Sequence, residues 1–447
     1  MKPSNRSGMM PLDLSRSSIS KRSITIGLLG LGTVGSEVYN ALIHNAKSLS
    51  EKTGFIYEIK KILVKNPEKS RAVNPKRSLL FTKIDEILED PEIELIVEVM
   101  GGLDPAGAII EKALCHGKSV VTANKGVMAT HGERLLKLAE EHKADLFFEA
   151  SVAGAIPILR PLQESMATDR ILEVCGIVNG TTNFILTKMT QEGSSYETAL
   201  KEAQRLGYAE PDPTFDVTGM DAAYKIAILA ALAFGHFAKG DHVSREGITE
   251  ITPTDLQHAK EMGYRVKLLA KATCDSEGLL LSVAPTWIPS HHPLYNVEGP
   301  YNAILVKGER LGDVMFYGQG AGGVPTSTAV VSDIVHASKN IVLGISGQSN
   351  QRMETDIKLK SPESFKTRYF FRLSVDDKPG TLAALAKNFA DEDVSFAAVL
   401  QKENTVNVTD ILFLTHDVRE GAFRKALANA KKLPFVKSIC SVFKVEP

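Results

Sequence analysis

Short apolar runs alternate with amphipathic stretches of helical period along the first third of the chain. Ile24–Leu29 reads as a buried strand, and Val34–Ile43 as the helix that follows it. Ile56–Val64 is a second strand, Ile84–Leu88 a short helix, and Ile93–Val99 an apolar strand ending in Met-Gly-Gly. Ala106–Cys115 has helical spacing, Ser119–Thr122 is a strand, Glu133–His142 a helix and Asp145–Glu149 a further strand. Strands separated by short helices predict a parallel, doubly wound α/β sheet. Such sheets bind ligands beyond the carboxyl ends of their strands. Lys65, Gly101-Gly102 and Thr122-Ala123-Asn124-Lys125 fall there.

Beyond Ala150 the pattern changes. Gly180-Thr181-Thr182-Asn183 precedes a helical stretch, Phe184–Met189, and the irregular run Gly207–Asp221 precedes the Ala-, Ile- and Leu-rich helix Ala222–Phe234. A glycine-rich turn, Gly318–Gly323, leads through Pro325–Ser327 into a helix, Ala329–Val342. Gly344–Ser364 is polar and reads as a linker. The tail then alternates as strand Arg368–Val375, helix Thr381–Ala390, strands Ser395–Gln401 and Val406–Thr415, helix Val418–Lys431 and strand Val436–Val445. That βαββαβ order is ferredoxin-like. The pattern thus marks a first α/β unit from residue 24 to about 150, a second stretch of different character, a linker and a small unit at 366–447. Met1–Ser23, rich in Ser, Arg and Lys and without the apolar core of a secretory signal, reads as a disordered extension.

Composition narrows the class without naming it. A formal net charge of −1 argues against a nucleic-acid surface. No apolar run approaches the roughly 20 residues of a membrane span. Cys115, Cys175, Cys274 and Cys440 lie far apart with no paired spacing, as reduced thiols of a cytoplasmic chain would.

The candidate chemistry begins at Gly30-Leu31-Gly32-Thr33-Val34-Gly35, a G-x-G-x-x-G at a strand-to-helix junction. Glycines there permit a tight turn, let backbone N–H groups approach a pyrophosphate, and let the helix pack closely on its strand. The second strand ends at Lys65, with Lys69 and Arg71 nearby, where an NAD site usually carries an acid. Those cations suit the 2′-phosphate of NADP; a solvated basic loop is the alternative. Further on, Glu210, Asp212, Asp216 and Asp221 crowd an irregular segment, and Lys225 lies one helical turn after Asp221. Such a pair is either a surface salt bridge or, at the start of so apolar a helix, a pocket wall.

These segments resemble the homoserine dehydrogenase family from Ile24 onward. The matching runs are GLLGLGTVGS, VEVMGG, VVTANKG, EASVAGAIPI, GIVNGTTNFIL, GYAEPDPTFDVTGMDAAYK and GAGGVPTSTAVVSDIV. The resemblance implies interconversion of L-homoserine and L-aspartate 4-semialdehyde with NADP, NAD being the alternative. It implies Glu210, Asp216 and Asp221 as substrate acids, Lys225 as the acid–base residue and Lys125 as a second catalytic and cofactor-facing lysine. Gly207 and Gly322 match cofactor-contacting positions. Main-chain oxygens of Glu149, Val152, Gly154 and Ile156 match a site for a monovalent cation, usually sodium; a tight structural loop is the alternative. The tail resembles an ACT domain, which senses an amino acid, here threonine; a dimerisation module without ligand is the alternative. The resemblance also implies a nucleotide unit at 24–150 plus about 319–343, an α+β substrate and dimerisation unit at 151–318 and a linker at 344–365, in a homodimer or homotetramer. Two rivals stay open: another Rossmann-type oxidoreductase, and a non-catalytic nucleotide-binding regulator.

Overall fold

The structure, a computed structural model, describes residues 22–348, 357–405 and 408–447. The expected extension Met1–Ser23 lies outside them up to residue 21, and Arg22 and Ser23 already pair in the first strand. Six parallel strands form the first sheet: β1 (Arg22–Leu29), β2 (Phe55–Leu63), β3 (Leu80–Phe81), β4 (Leu95–Glu98), β5 (Ser119–Thr122) and β6 (Leu146–Phe147). Their order, β3-β2-β1-β4-β5-β6, is that of a doubly wound nucleotide-binding sheet. Strand order reverses between β1 and β4, so a crevice opens beyond Leu29 and Glu98.

Local chemistry explains where boundaries differ from expectation. β3, of two half-buried residues, is too short to show any period. The helix expected from Glu133 begins at Lys125, because Asn124 caps it by accepting from Val127 N at 3.2 Å. The strand expected at Asp145–Glu149 stops at Phe147 and gives way to a single tight turn, Glu149–Ser151. The helix Gly323–Leu343 packs Ala329, Val330, Ile334 and Ala337 into the same core as Ile24, Ile26 and Leu28, so it belongs to the first unit.

The second sheet is mixed. It contains β7 (Ile171–Ile177), β8 (Ser244–Arg245), β9 (Tyr264–Asp275), β10 (Gly278–Pro289), β11 (Tyr301–Gly308) and β12 (Gly312–Gln319). Its tail strands are β13 (Lys366–Asp376), β14 (Phe396–Thr405), β15 (Val408–Thr415), β16 (Val418–Arg419) and β17 (Val436–Val445). The main path runs β12-β11-β7-β9-β10-β17-β13-β15-β14. Between the sheets lies the helix Met220–Phe234, buried except at Met220, Tyr224 and Ala233. It packs on β7, β9 and β10 and, on the other side, against the helix Lys125–Glu141 of the first unit.

The tail has strand order β17-β13-β15-β14, the antiparallel arrangement of a ferredoxin-like unit. One expected helix is shorter. Val418 and Arg419 pair with Thr367 and Lys366 as a strand, and the helix starts at Glu420, whose N–H donates to Phe365 O at 2.8 Å. The tail is also continuous with the second sheet. β17 pairs in parallel with β10, and fully buried Trp287 on β10 stacks on Phe370 with ring centroids 3.8 Å apart. Arg372 of β13 spans Asp410 at 2.9 Å and Asp255 of the middle unit at 3.0 Å. The middle of the expected linker, residues 349–356, lies outside the described residues. Its far end is pinned, since Leu279 N donates to Lys358 O and Lys360 N to Leu279 O, each at 2.9 Å. No helix among the described residues is long and apolar enough to cross a membrane.

Candidate active site

The turn after β1 is shaped by what glycine lacks. Gly30 has φ of 100°, and a Cβ there would lie 2.9 Å from Val99 O. A Cβ on Gly35 would lie 2.2 Å from Gly30 O, so the helix Thr33–His44 can seat on its strand only as glycine allows. A Cβ on Gly32 would meet nothing within 4 Å. Gly32 therefore faces an open space over the first turn of the helix, whose leading N–H groups lack intrahelical partners. Leu31 is buried behind this turn, and Thr33 and Val34 open the helix. Gly322 precedes a second helix start, and a Cβ on Gly323 would come within 3.0 Å of Thr33 Cγ2. Two helix N-termini thus converge at the crevice. Lys65 is exposed just past β2.

Across the crevice stands a compact charge cluster. Asp221, 1% exposed, receives Lys225 Nζ on Oδ2 at 2.7 Å and pairs with Lys125 Nζ through Oδ1 at 2.5 Å. Lys125 comes from the first unit and Lys225 from the central helix of the second, so the carboxylate joins two units. Lys225 also donates to Val178 O at 2.7 Å. Asn179 caps the helix Gly180–Glu192 and donates to Asp221 Oδ2 and Asp216 Oδ1, each at 2.8 Å. Thr181 Oγ1 donates to Tyr208 O at 2.5 Å and lies 3.3 Å from Asp216 Oδ2. Lys125 sits over the ring of Phe215, 5.4 Å from its centre.

The electrostatics separate the two lysines. Burial, reinforced by the charge of Lys125, pulls the Lys225 ammonium below its ordinary pKa despite the Asp221 carboxylate. Burial acts the same way on Lys125, but Asp221, Asp216 and Glu210 outweigh it and push that pKa up. Burial would raise the Asp221 carboxyl, yet the two ammonium groups hold it well below the usual range. Burial and the neighbouring Asp221 charge push Asp216 up. Glu210 is exposed on the loop after Gly207, and among the described residues no protein donor engages its carboxylate. Asp212 is exposed, accepts from Thr214 N at 3.1 Å, and stays outside the cluster.

The loop at Glu149–Ile156 borders the glycine turn at 318–323, with Ala155 N donating to Gln319 O at 3.3 Å. The Glu149 side chain is occupied with structure, accepting from Ile158 N, Leu159 N and Arg160 N at 2.7, 2.8 and 2.9 Å. Its own N–H donates to Asp333 at 2.8 Å. Ala153 and Gly154 run left-handed with φ of 54° and 56°, and among the described residues no backbone donor reaches the carbonyls of the buried residues Val152, Gly154 and Ile156. Asn179, which ties Asp216 to Asp221, escaped the sequence reading. Its signal was present: Asn followed by Gly-Thr-Thr at a helix start is a capping pattern.

A doubly wound sheet with an open glycine turn at its switch point, facing two lysines that share one buried carboxylate, defines a nicotinamide-dependent oxidoreductase. The family models for homoserine dehydrogenase and for its NAD-binding domain match residues 157–335 and 30–149. Homoserine dehydrogenase of Bacillus subtilis is 43% identical over 427 residues, covering 95% of this chain and 99% of its own. That of Synechocystis is 42% identical, with 95% and 99% covered. A homoserine dehydrogenase structure from Thiobacillus denitrificans superposes with a TM-score of 0.90 at 39% identity, covering 95% of this chain and 98% of that one. A hyperthermophilic archaeal homoserine dehydrogenase solved in complex with NADPH gives a TM-score of 0.60 at 30% identity, covering 71% and 98%. The chain belongs to the homoserine dehydrogenase family.

The glycine geometry separates stability from binding. Gly35→Ala should destabilise the fold by about 1–3 kcal/mol, read as a lowered Tm, because its Cβ meets backbone. Gly32→Ala should leave Tm unchanged and weaken dinucleotide binding roughly tenfold or more, the equivalent of about 1.4 kcal/mol in lost contact. Equal effects of the two substitutions on both measurements would contradict this assignment.

Proposed function

We propose that the chain oxidises the primary alcohol of L-homoserine to L-aspartate 4-semialdehyde, and reverses the reaction, with NADP preferred and NAD accepted as an alternative. The observation that carries the reading is the Lys125–Asp221–Lys225 bridge at the mouth of the dinucleotide crevice. Oxidation of an alcohol needs a group to accept its proton as hydride departs. Lys225, lowered by burial, can reach the neutral amine that does so, and the same group as an ammonium returns the proton in reduction. Lys125, raised by its carboxylates, keeps its charge and faces the oxygen on which negative charge develops. Asp221 is spent on the two lysines and Asn179, and Asp216 on Asn179 and Thr181, so both position the cluster. Glu210 is the carboxylate left to bind the substrate ammonium. When bound, the nicotinamide cofactor supplies the carbon that exchanges hydride with the substrate. Gly207, in the turn before Glu210, and Gly322, at the start of the helix Gly323–Leu343, stand as backbone contacts to it.

The preference for NADP rests on the loop after β2. Glu68, its nearest acid, pairs with Arg77 at 3.1 Å, and Arg71 folds back to donate to Lys69 O at 2.6 Å. Lys65 is the cation at the strand end itself. The undonated carbonyls of Val152, Gly154 and Ile156, with that of Glu149, suit a hard monovalent cation such as sodium, held by oxygen ligands. The tail acts as an ACT-type sensor of threonine: its ferredoxin-like unit shares a sheet with the strands under the central helix. Assembly into a homodimer or homotetramer through an edge strand agrees with β12, which ends the sheet and leaves Met315 and Tyr317 exposed.

Purified protein given L-homoserine and NADP+ should form reduced nicotinamide, and Lys225→Ala should lose about 10²–10⁴-fold in kcat while binding cofactor normally. Oxidation should accelerate as pH rises through the Lys225 titration, and reduction should slow. Retained turnover in the variant would remove Lys225 from the chemistry.

Lys65→Glu should raise KM for NADP+ far more than for NAD+. Equal changes would make Lys65 part of a solvated loop.

Because removing the tail would uncover Trp287, the effector reading is best tested on the whole chain. Threonine at millimolar order should slow turnover, and indifference to threonine would leave a structural tail.

A further inference from the structure

Another buried carboxyl group, unused so far, stands at the end of β4. Glu98 is 0% exposed, in a strand otherwise wholly apolar. Burying a carboxylate is costly unless donors meet it, and here each oxygen has one. Oε1 accepts from Met100 N at 2.8 Å, and Oε2 accepts from Thr122 Oγ1 at 2.6 Å. The chain of hydrogen bonds continues in one direction. Thr122 has a single hydroxyl proton, which goes to Glu98, and its oxygen accepts from Asn124 N at 3.0 Å. Asn124 donates through Nδ2 to Gly102 O at 2.7 Å and accepts from Val127 N at 3.2 Å, capping the helix whose first residue is Lys125. Met100, the other partner of Glu98, is backbone against which Gly30 closes the dinucleotide turn.

We propose that Glu98 is a positioning residue of the reaction: its carboxylate, through Thr122 and Asn124, sets where Lys125 starts its helix, and through Met100 sets the wall of the glycine turn. The proposal rests on the reading that Lys125 works in the active site. Both carboxyl oxygens of Glu98 serve as acceptors here, Oε1 toward Met100 N and Oε2 toward the Thr122 hydroxyl. A glutamine of the same shape must turn its NH2 either toward Met100 N, which cannot accept, or toward Thr122 Oγ1, whose hydroxyl proton must then point elsewhere. Either way the network that Glu98 makes is altered. The network explains why so apolar a strand ends in a charge, and it places one residue behind both cofactor wall and catalytic lysine.

The test combines Glu98→Gln with Lys125→Ala in the full chain, reading kcat, KM for homoserine, the dissociation constant of NADP+ and Tm. Glu98→Gln should lower kcat about 10- to 100-fold, the loss that a displacement on the order of 1 Å brings. It should also weaken NADP+ binding severalfold, without the activity being needed to see it. In the Lys125→Ala background the same substitution should change kcat less than about twofold, because residues acting through one group are not additive. Thr122→Val, close in volume, cuts the link to Asn124 and should reproduce the kcat loss even where Glu98→Gln folds poorly. Two results overturn the proposal: wild-type kcat and NADP+ affinity in both Glu98→Gln and Thr122→Val, or an equal kcat loss with and without Lys125. Full activity of Lys125→Ala alone would instead fail the active-site reading, and so is distinguishable.

Discussion

The carboxylate of Asp221, closed off from water between two ammonium groups, is the interaction on which the rest of the structure depends. A buried charge is tolerated when it is paired and hydrogen-bonded, and Asp221 has Lys125, Lys225 and Asn179 around it. Because the two lysines come from different units, the pairing fixes the relation between the dinucleotide crevice and the central helix. It also makes the lysines unequal. One lies deep among apolar side chains and is pulled toward neutrality, while the other, about a third exposed and facing three acids, keeps its proton. Two identical side chains are thereby pushed in opposite directions.

The surrounding architecture holds that asymmetry in place. The central helix is apolar nearly throughout, so the charged pair at its start has no competing partner within the helix. Asn179 links the acids to the cap of the next helix, and Glu98 performs a comparable service on the cofactor side. The tail is attached through backbone pairing and through Trp287 packed on Phe370, so that it is part of the sheet under the site. A ligand acting there would need different affinities for two arrangements of that sheet.

How much of this could be read from the chain depended on whether the relevant contact is local. The parallel sheet and the glycine turn were legible because a strand, a G-x-G-x-x-G and a helix are consecutive. The acids and Lys225 stood out because they crowd one short stretch, an irregular run and the helix start that follows it. The structure then shows what no short window contains: Lys125, far upstream, shares Asp221 with Lys225, and Asn179 holds the two acids together. Val418–Arg419 has helix-compatible spacing but is drawn into a strand by Lys366 and Thr367. Likewise, the union of β10 with β17 depends on residues at opposite ends of the second half of the chain. The roles of Lys125 and Lys225 came from resemblance to the family, and the geometry now supplies a physical reason for dividing them.

The claim that burial and a shared carboxylate split the two lysines can be measured without turnover. Lysine side-chain NMR titration, with Lys125→Arg and Lys225→Arg used for assignment, reports each ammonium in the resting protein. The account predicts that Lys225 titrates below the ordinary lysine value of about 10.4 and Lys125 above it. Two lysines titrating together at the ordinary value, or in the opposite order, would contradict it.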